Sequence, residues 1–229
     1  MIKEGRTNGE TDWDGQDGYT RLRNEKRILE RLLAYGVRVP NILDYFEVGQ
    51  SNFLVLESVN GEILHSMITG DQVLSTDEVL LYGAKLAEVL RGIHGAGVVW
   101  RDCKPLNILV DEAHDLRAVD FEGACLVDEA PDQPWGTFGY TPPEWLNDVR
   151  PEHRQAQDLY ALGATLNHML SGRAPGPDGA LAPMRSVPGR IPPVMVAVVE
   201  ALTDAVPGAR PSAKAVAAAL NSALNELRN

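Results

Sequence analysis

The chain has 229 residues, 44% of them hydrophobic, which is enough to close one large domain or two small lobes around a real core. Lysine and arginine total 21 against 32 acidic residues, a net charge of −11 with no basic run to offset it, and this argues against nucleic acid as a partner. Two cysteines, Cys103 and Cys125, are too few for a disulfide framework and too far apart for a short metal-ligand pair, so a reducing cytoplasmic setting is expected.

The first five residues carry no apolar signal core. Residues 5–18, rich in Gly, Asp and Thr, read as a loop. Residues 19–35 then place Leu22, Ile28, Leu29, Leu32 and Leu33 at helical spacing, with Gly36 positioned to end the helix. Two short apolar runs, 42–46 and 53–56, flank turn residues 49–52 and predict a two-stranded hairpin. Asn60-Gly61 breaks the chain. Ser75 with Glu78 makes a capping-box signature, and Val79, Gly83, Leu86, Leu90 and Ile93 line one face of the helix that follows, up to Gly95 and Gly97. Short strand-like pieces at 98–99, 108–110 and 116–119 alternate with polar loops. Helices are expected near Pro142 and over 157–170, 193–203 and 212–227, with an irregular Pro- and Gly-rich stretch at 173–192. The most apolar stretch, 194–202, is far too short to span a membrane, so no membrane partner is expected. The pattern implies an α+β protein: a small strand-rich part over residues 1–60, a larger helical part over 61–229, and a cleft between them near 57–62.

The polar loops carry the chemistry. Asp102, Lys104 and Asn107 sit between two apolar strand-like runs, and a further strand-like run ends in Asp120-Phe121. A lone Asp and Asn at this spacing is commonly a polar turn. Arg101 before the Asp, Lys104 after it and the second Asp further on make a functional loop the stronger reading. Residues 100–110 together with 119–123 resemble the catalytic loop and metal-binding segment of protein kinases. The resemblance continues in Gly136 to Glu144, like the segment that ends the kinase activation loop. It continues again in residues 158–163, where Asp158 would hold the catalytic-loop backbone, and in 208–212, whose Arg210 would pair with Glu144.

The resemblance implies a bilobal kinase fold with a truncated small lobe, using ATP and Mg2+. In it, Asp102 would accept the proton of the acceptor hydroxyl and Lys104 would place its ammonium on the γ-phosphate. Asn107 and Asp120 would supply one neutral and one charged oxygen, the hard ligands magnesium takes when it is shared with phosphates. Lys3 resembles the strand lysine that holds the α- and β-phosphates. Its partner would be Glu25, which lies three residues after Leu22 and four before Leu29 on the apolar stripe, where a charge needs a buried partner. Residues 54–61 resemble the hinge: backbone groups of Glu57 and Val59 would read the adenine edge, between apolar walls from Leu56 and Leu109.

The chain departs from the family pattern at several places. No glycine-rich loop precedes Lys3, so either an upstream or partner segment is expected to complete the small lobe, or nucleotide binding is weakened. Trp100 stands where the family has His, and Glu122 replaces the Gly after Asp-Phe, which is expected to stiffen the metal segment. Residues 123–135 contain no Ser, Thr or Tyr, so the anion facing Arg101 would be Asp128, Glu129 or Asp132 rather than a phosphate.

Within the superfamily the chain is most similar to bacterial Ser/Thr kinases, in particular the kinase domains of class III and IV lanthipeptide synthetases. That implies phosphorylation of Ser or Thr in a protein or peptide, a lanthipeptide precursor being one such acceptor. Two cysteines cannot build the cyclase zinc site of those enzymes, so the kinase step alone is expected. Two alternatives stand beside this. A small-molecule kinase of the aminoglycoside or choline type is opposed by Lys104 and the 136–144 platform. A non-catalytic pseudokinase is opposed by the intact Asp102, Asn107 and Asp120.

Overall fold

The stripe of Leu22, Ile28, Leu29 and Leu32 forms the buried face of helix α1 (Gly18–Ala34) in the computed structural model, which describes residues 1–7, 15–68, 74–129, 135–146, 154–176, 178–184 and 191–228. Asp17 caps it, its carboxylate accepting from the Thr20 amide at 2.9 Å, and Gly36 ends it in the left-handed region at φ +72°.

Helix α1 lies on a three-stranded antiparallel sheet of order β1-β3-β2, with β1 at Ile2–Arg6, β2 at Ile42–Val48 and β3 at Ser51–Leu56. The hairpin turn is tighter than the expected four residues, because Val48 pairs with Ser51 and leaves only Gly49 and Gln50. The loop expected over 5–18 is also shorter. Gly5 and Arg6 continue β1 opposite Asn52 and Ser51, and Gly18 already belongs to α1. Gly5 is where helix and sheet meet most closely: a Cβ there would come within 2.2 Å of the Gly18 carbonyl oxygen. Strand β3 alternates cleanly, burying Asn52, Leu54 and Leu56 and leaving Ser51, Phe53 and Val55 half-exposed.

Residues 57–61 lead into the larger, mainly helical part. Its elements are β4 (Glu62–Ile63), α2 (Leu64–Met67), α3 (Thr76–Gly95), β5 (Val98–Val99), β6 (Ile108–Val110), β7 (Leu116–Ala118), β8 (Cys125–Leu126), α4 (Ala156–Ser171), α5 (Pro193–Leu202) and α6 (Ala213–Arg228). The capping box of α3 is complete: the Ser75 hydroxyl accepts from the Glu78 amide, and the Glu78 carboxylate accepts from the Ser75 amide at 2.8 Å. Gly83 lets α3 approach α4 and α6, since a Cβ would meet Leu166 at 2.8 Å and Leu220 at 3.1 Å. Helix α4 is buried on all sides from Ala156 to Leu170 and is the axis of this part.

The short strands decide where the polar loops lie. Strand β6 pairs with both β4 and β7, and β5 pairs with β8. The loop from β5 to β6, carrying Asp102 to Asn107, and the loop from β7 to β8, carrying Asp120, are therefore tied at both ends and held side by side. The structure has the bilobal α+β arrangement that the resemblance implies. Among the described residues no helix is long and apolar enough to cross a membrane.

Candidate active site

Strand β5 delivers the chain to Trp100, and the next two residues depend on a single carboxylate. Asp158, fully buried in the first turn of α4, accepts from the Trp100 amide at 2.9 Å and the Arg101 amide at 2.7 Å, with His94 Nε2 at 2.9 Å. Those bonds hold Arg101 at φ +72°, a backbone conformation costly for a residue with a Cβ. The Trp100 indole is also buried. It stacks on Phe121 with centroids 5.5 Å apart and donates its Nε1–H to the Asp120 carbonyl at 3.1 Å. The Trp that replaces the family His thus still presents a ring N–H, and that bond joins the two loops. Asp120, like Arg101, has a positive φ, at +62°.

The Asp102 carboxylate is gripped from three directions. Lys104 Nζ lies 2.7 Å from Oδ2, Asn107 Nδ2 donates to Oδ2 at 2.8 Å and to the Asp102 carbonyl at 3.0 Å, and Thr137 Oγ1 donates to Oδ1 at 2.8 Å. Lys104 in turn donates to Thr137 Oγ1 at 2.6 Å, which closes a ring of three side chains, Asp102, Lys104 and Thr137, with Asn107 attached to it through Asp102. Thr137 is the member that sequence reasoning missed, having read 136–144 only as a platform. The available signal was Gly136 beside it. At φ +132°, with a would-be Cβ 2.8 Å from the Arg101 carbonyl oxygen, only glycine lets this segment come up against the Asp102 loop.

A second cluster joins three distant stretches. Lys3 Nζ contacts Glu25 Oε1 at 2.7 Å, Glu25 Oε2 at 2.8 Å and Asp120 Oδ1 at 3.2 Å. Glu25 is buried, and its Oε1 also accepts from the Phe121 amide at 3.2 Å. Burial works against the Lys3 charge, but the Glu25 and Asp120 carboxylates outweigh it and hold the ammonium above its ordinary range. The clusters meet through the backbone, where the Val119 amide donates to the Asn107 carbonyl at 2.9 Å.

The donor set can be tested against magnesium. Asn107 commits its amide nitrogen to Asp102, so its amide oxygen points elsewhere, and Asp120 is partly exposed with only Oδ1 engaged by Lys3. Among the described residues no group of three or more His, Cys, Asp or Glu could hold a metal unaided. One neutral oxygen and one carboxylate suit an ion that takes its remaining ligands from phosphates and water, as magnesium does.

Glu57 lies at the start of the 57–61 connection. Its amide donates to the Asn41 carbonyl at 2.8 Å, and its carboxylate accepts from Asn41 and from Arg117, which holds it below the usual carboxylate range. Among the described residues the Glu57 carbonyl and the Val59 amide have no protein partner. Leu56 is buried at the end of β3, and Leu109 is half-buried in β6 opposite Ile63.

Glu122 adopts a negative φ, so the position does not require the family glycine. Burial and the neighbouring Asp120 raise its carboxyl. Glu129, one of the expected anions for Arg101, pairs instead with Arg27 at 2.7 Å, and Asp132 lies outside the described residues. The Arg101 guanidinium sits over the Trp145 ring at 5.4 Å and donates to the Gly123 carbonyl at 3.4 Å. Arg210 meets Glu144 bidentately at 2.6 and 2.9 Å and also donates to the Ala156 carbonyl, tying the platform to α4. Burial pushes Cys125 up to about 11 and lifts Cys103 as well, so neither serves as a thiolate at neutral pH.

Comparison with known proteins agrees with this geometry. A family profile described as "Protein kinase domain" matches residues 2–217. The probable SapB synthase of Streptomyces coelicolor is 34% identical over 174 residues, covering 71% of this chain and 18% of that protein. The 3-phosphoinositide-dependent protein kinase 1 of Arabidopsis thaliana is 33% identical over 168 residues, covering 66% and 34%. The serine/threonine-protein kinase pkn3 of Myxococcus xanthus is 29% identical over 177 residues, covering 69% and 32%. The chain thus spans between 18% and 34% of the length of these relatives.

Proposed function

This chain belongs to the protein kinase family, and on that premise we propose that it is an ATP- and magnesium-dependent phosphotransferase acting on Ser or Thr hydroxyls of a protein or peptide. The observation that carries the reading is the Asp102 carboxylate, fixed by Lys104, Asn107 and Thr137 on a loop that the Asn107 carbonyl ties to the Val119 amide, next to Asp120 and its Lys3–Glu25 partners.

In this reading the acceptor hydroxyl oxygen attacks the γ-phosphorus, its proton passes to Asp102, and the bond to the β–γ bridging oxygen breaks to release ADP. Lys104 sets a positive charge beside the transferring group, and Lys3, oriented by Glu25, holds the α- and β-phosphates. Asn107 and Asp120 would hold magnesium, which supplies charge neutralisation to the phosphates. The Glu57 carbonyl, the Val59 amide, Leu56 and Leu109 would take the adenine.

A peptide acceptor is supported by two exposed apolar side chains next to members of the Asp102 cluster, Leu106 at 51% and Phe138 at 79% exposure. The likeness to the probable SapB synthase, beside the resemblance to the kinase domains of lanthipeptide synthetases, supports a precursor peptide as that acceptor. We place the lobe boundary at residues 60 and 61. An upstream or partner segment completing the small lobe is supported by β1, whose second edge pairs with no strand among the described residues. A reducing, cytoplasmic setting is supported by two buried free cysteines.

Incubation with radiolabelled ATP and protein, peptide or small-molecule acceptors, run beside Asp120→Ala, tests the reading. Label on peptide Ser or Thr that disappears in the variant is the expected result. Label on small molecules alone would mean a small-molecule kinase, and nucleotide binding without transfer a binding module.

A further inference from the structure

The segment that follows the metal loop carries no hydroxyl side chain from residue 123 to 135, yet it is pinned to α1 by its own residues. Trp135 lies flat against Gly123: a Cβ on that glycine would fall 1.6 Å from the indole nitrogen, a contact only glycine permits. The Arg21 guanidinium covers the Trp135 ring at 4.5 Å, and its Nε lies 4.0 Å from Glu122. Arg21 is one of three α1 residues spaced three apart that reach the same segment. Asn24 donates to the Ala124 carbonyl at 2.8 Å, and Arg27 pairs with Glu129 at 2.7 Å. A cavity of about 690 Å3 borders these contacts, with Trp135 and Gly123 among its lining residues. One turn beyond Arg21 on the same helix is Glu25, which holds both Lys3 and the Phe121 amide.

We propose that Trp135 is a positioning residue: docked on Gly123 under Arg21, it latches residues 122–129 to α1 and so keeps Glu25 on Lys3 and Phe121 without a phosphate. Its effect on transfer rests on the kinase reading, while its effect on the backbone does not.

The test compares the wild-type chain with Trp135→Ala, Trp135→Phe and Gly123→Ala by amide hydrogen exchange and by phosphoryl transfer. Trp135→Ala and Gly123→Ala are expected to speed exchange of the Phe121 and Ala124 amides about tenfold or more, with amides of α3 unchanged, and Trp135→Phe to stay near wild type. Should Trp135→Ala loosen α3 as well, Trp135→Phe and Gly123→Ala decide the matter. Unchanged Phe121 exchange in Gly123→Ala and Trp135→Ala overturns the latch. Transfer by Trp135→Ala should fall about tenfold, and much less when added to Glu25→Gln, because both act through one contact. Losses that multiply independently would also overturn it. Faster exchange in a chain whose wild type transfers to no acceptor leaves the latch standing and removes the kinase reading.

Discussion

The Asp102 and Glu25 clusters both fix carboxylates, but they are built in opposite ways. Around Asp102, Lys104 and Asn107 come from the same turn, and only Thr137 is brought from a distance. Around Glu25, the partners lie 22 positions away at Lys3 and 96 away at Phe121. The first cluster rides on a loop anchored by buried Asp158, and the second exists only while α1 stays against β1 and the Asp120 loop. A local turn thus makes the Asp102 cluster durable, and a long-range contact makes the Glu25 cluster adjustable.

The largest effect that separates them is expected from Asp102→Asn. Loss of the proton acceptor should cut initial rates about 10²- to 10⁴-fold while nucleotide affinity, read by titration, stays near wild type. If the variant keeps full rates, Asp102 is not the acceptor and the local cluster is merely structural.

Asp158→Ala attacks the anchor of the same cluster. It leaves the Trp100 and Arg101 amides buried without an acceptor, and a loss of about 3 kcal/mol is expected in urea denaturation. A change under about 1 kcal/mol would show that the strained loop holds itself.

The clusters should also respond at opposite ends of the pH scale. Beside the Thr137 segment, Tyr140 OH meets His168 Nδ1 at 2.6 Å, and burial lowers His168 to about 4 from its ordinary 6.5. The folded chain therefore resists a proton that the unfolded chain accepts. Stability present above pH 6.5 should fall by about 3 kcal/mol as the pH drops toward 4. Lys3 has the reverse sign: with its folded value raised, its contribution is complete below 10.5 and is lost only as the pH rises past that raised value. Denaturation of wild type and His168→Gln at pH 7 and 4.5 checks the acid limb, and equal pH slopes in the two would refute it.

Glu25→Gln keeps shape and one acceptor oxygen but removes the charge facing Lys3. A stability loss of about 1 to 2 kcal/mol is expected, together with weaker ATP binding in direct titration. Unaltered affinity would detach the long-range cluster from the nucleotide. The smallest effect belongs to Glu129→Gln, whose pair with Arg27 is half-exposed on both sides. Little or no change in melting temperature is expected there, and a clear downward shift would make that contact a main support of the segment.

Much of this architecture could be read from residue order. The helical stripe of α1 located both the helix and the one acid that belongs on its buried side. The capping box placed the start of α3, and the Asp102, Asn107 and Asp120 spacing located the polar loops. Other features left no periodic trace. Strand β1 runs through Gly5 and Arg6 because Asn52 and Ser51 offer it hydrogen bonds, which a Gly-rich stretch does not announce. Thr137 looks like any turn threonine until it is seen 2.8 Å from Asp102. Glu129 reads as a generic acid, and only the position of α1 assigns it to Arg27 rather than Arg101.

What residue order alone determined here is local: which stretches coil or extend, where they stop, and which side chains can act on a phosphate. Those properties follow from backbone sterics, apolar spacing and functional-group chemistry, all of short range. Which acid faces which base was decided by the packing of α1, α4 and the short strands. Pairing energies depend on distance and burial, and neither exists until remote parts of the chain are brought together.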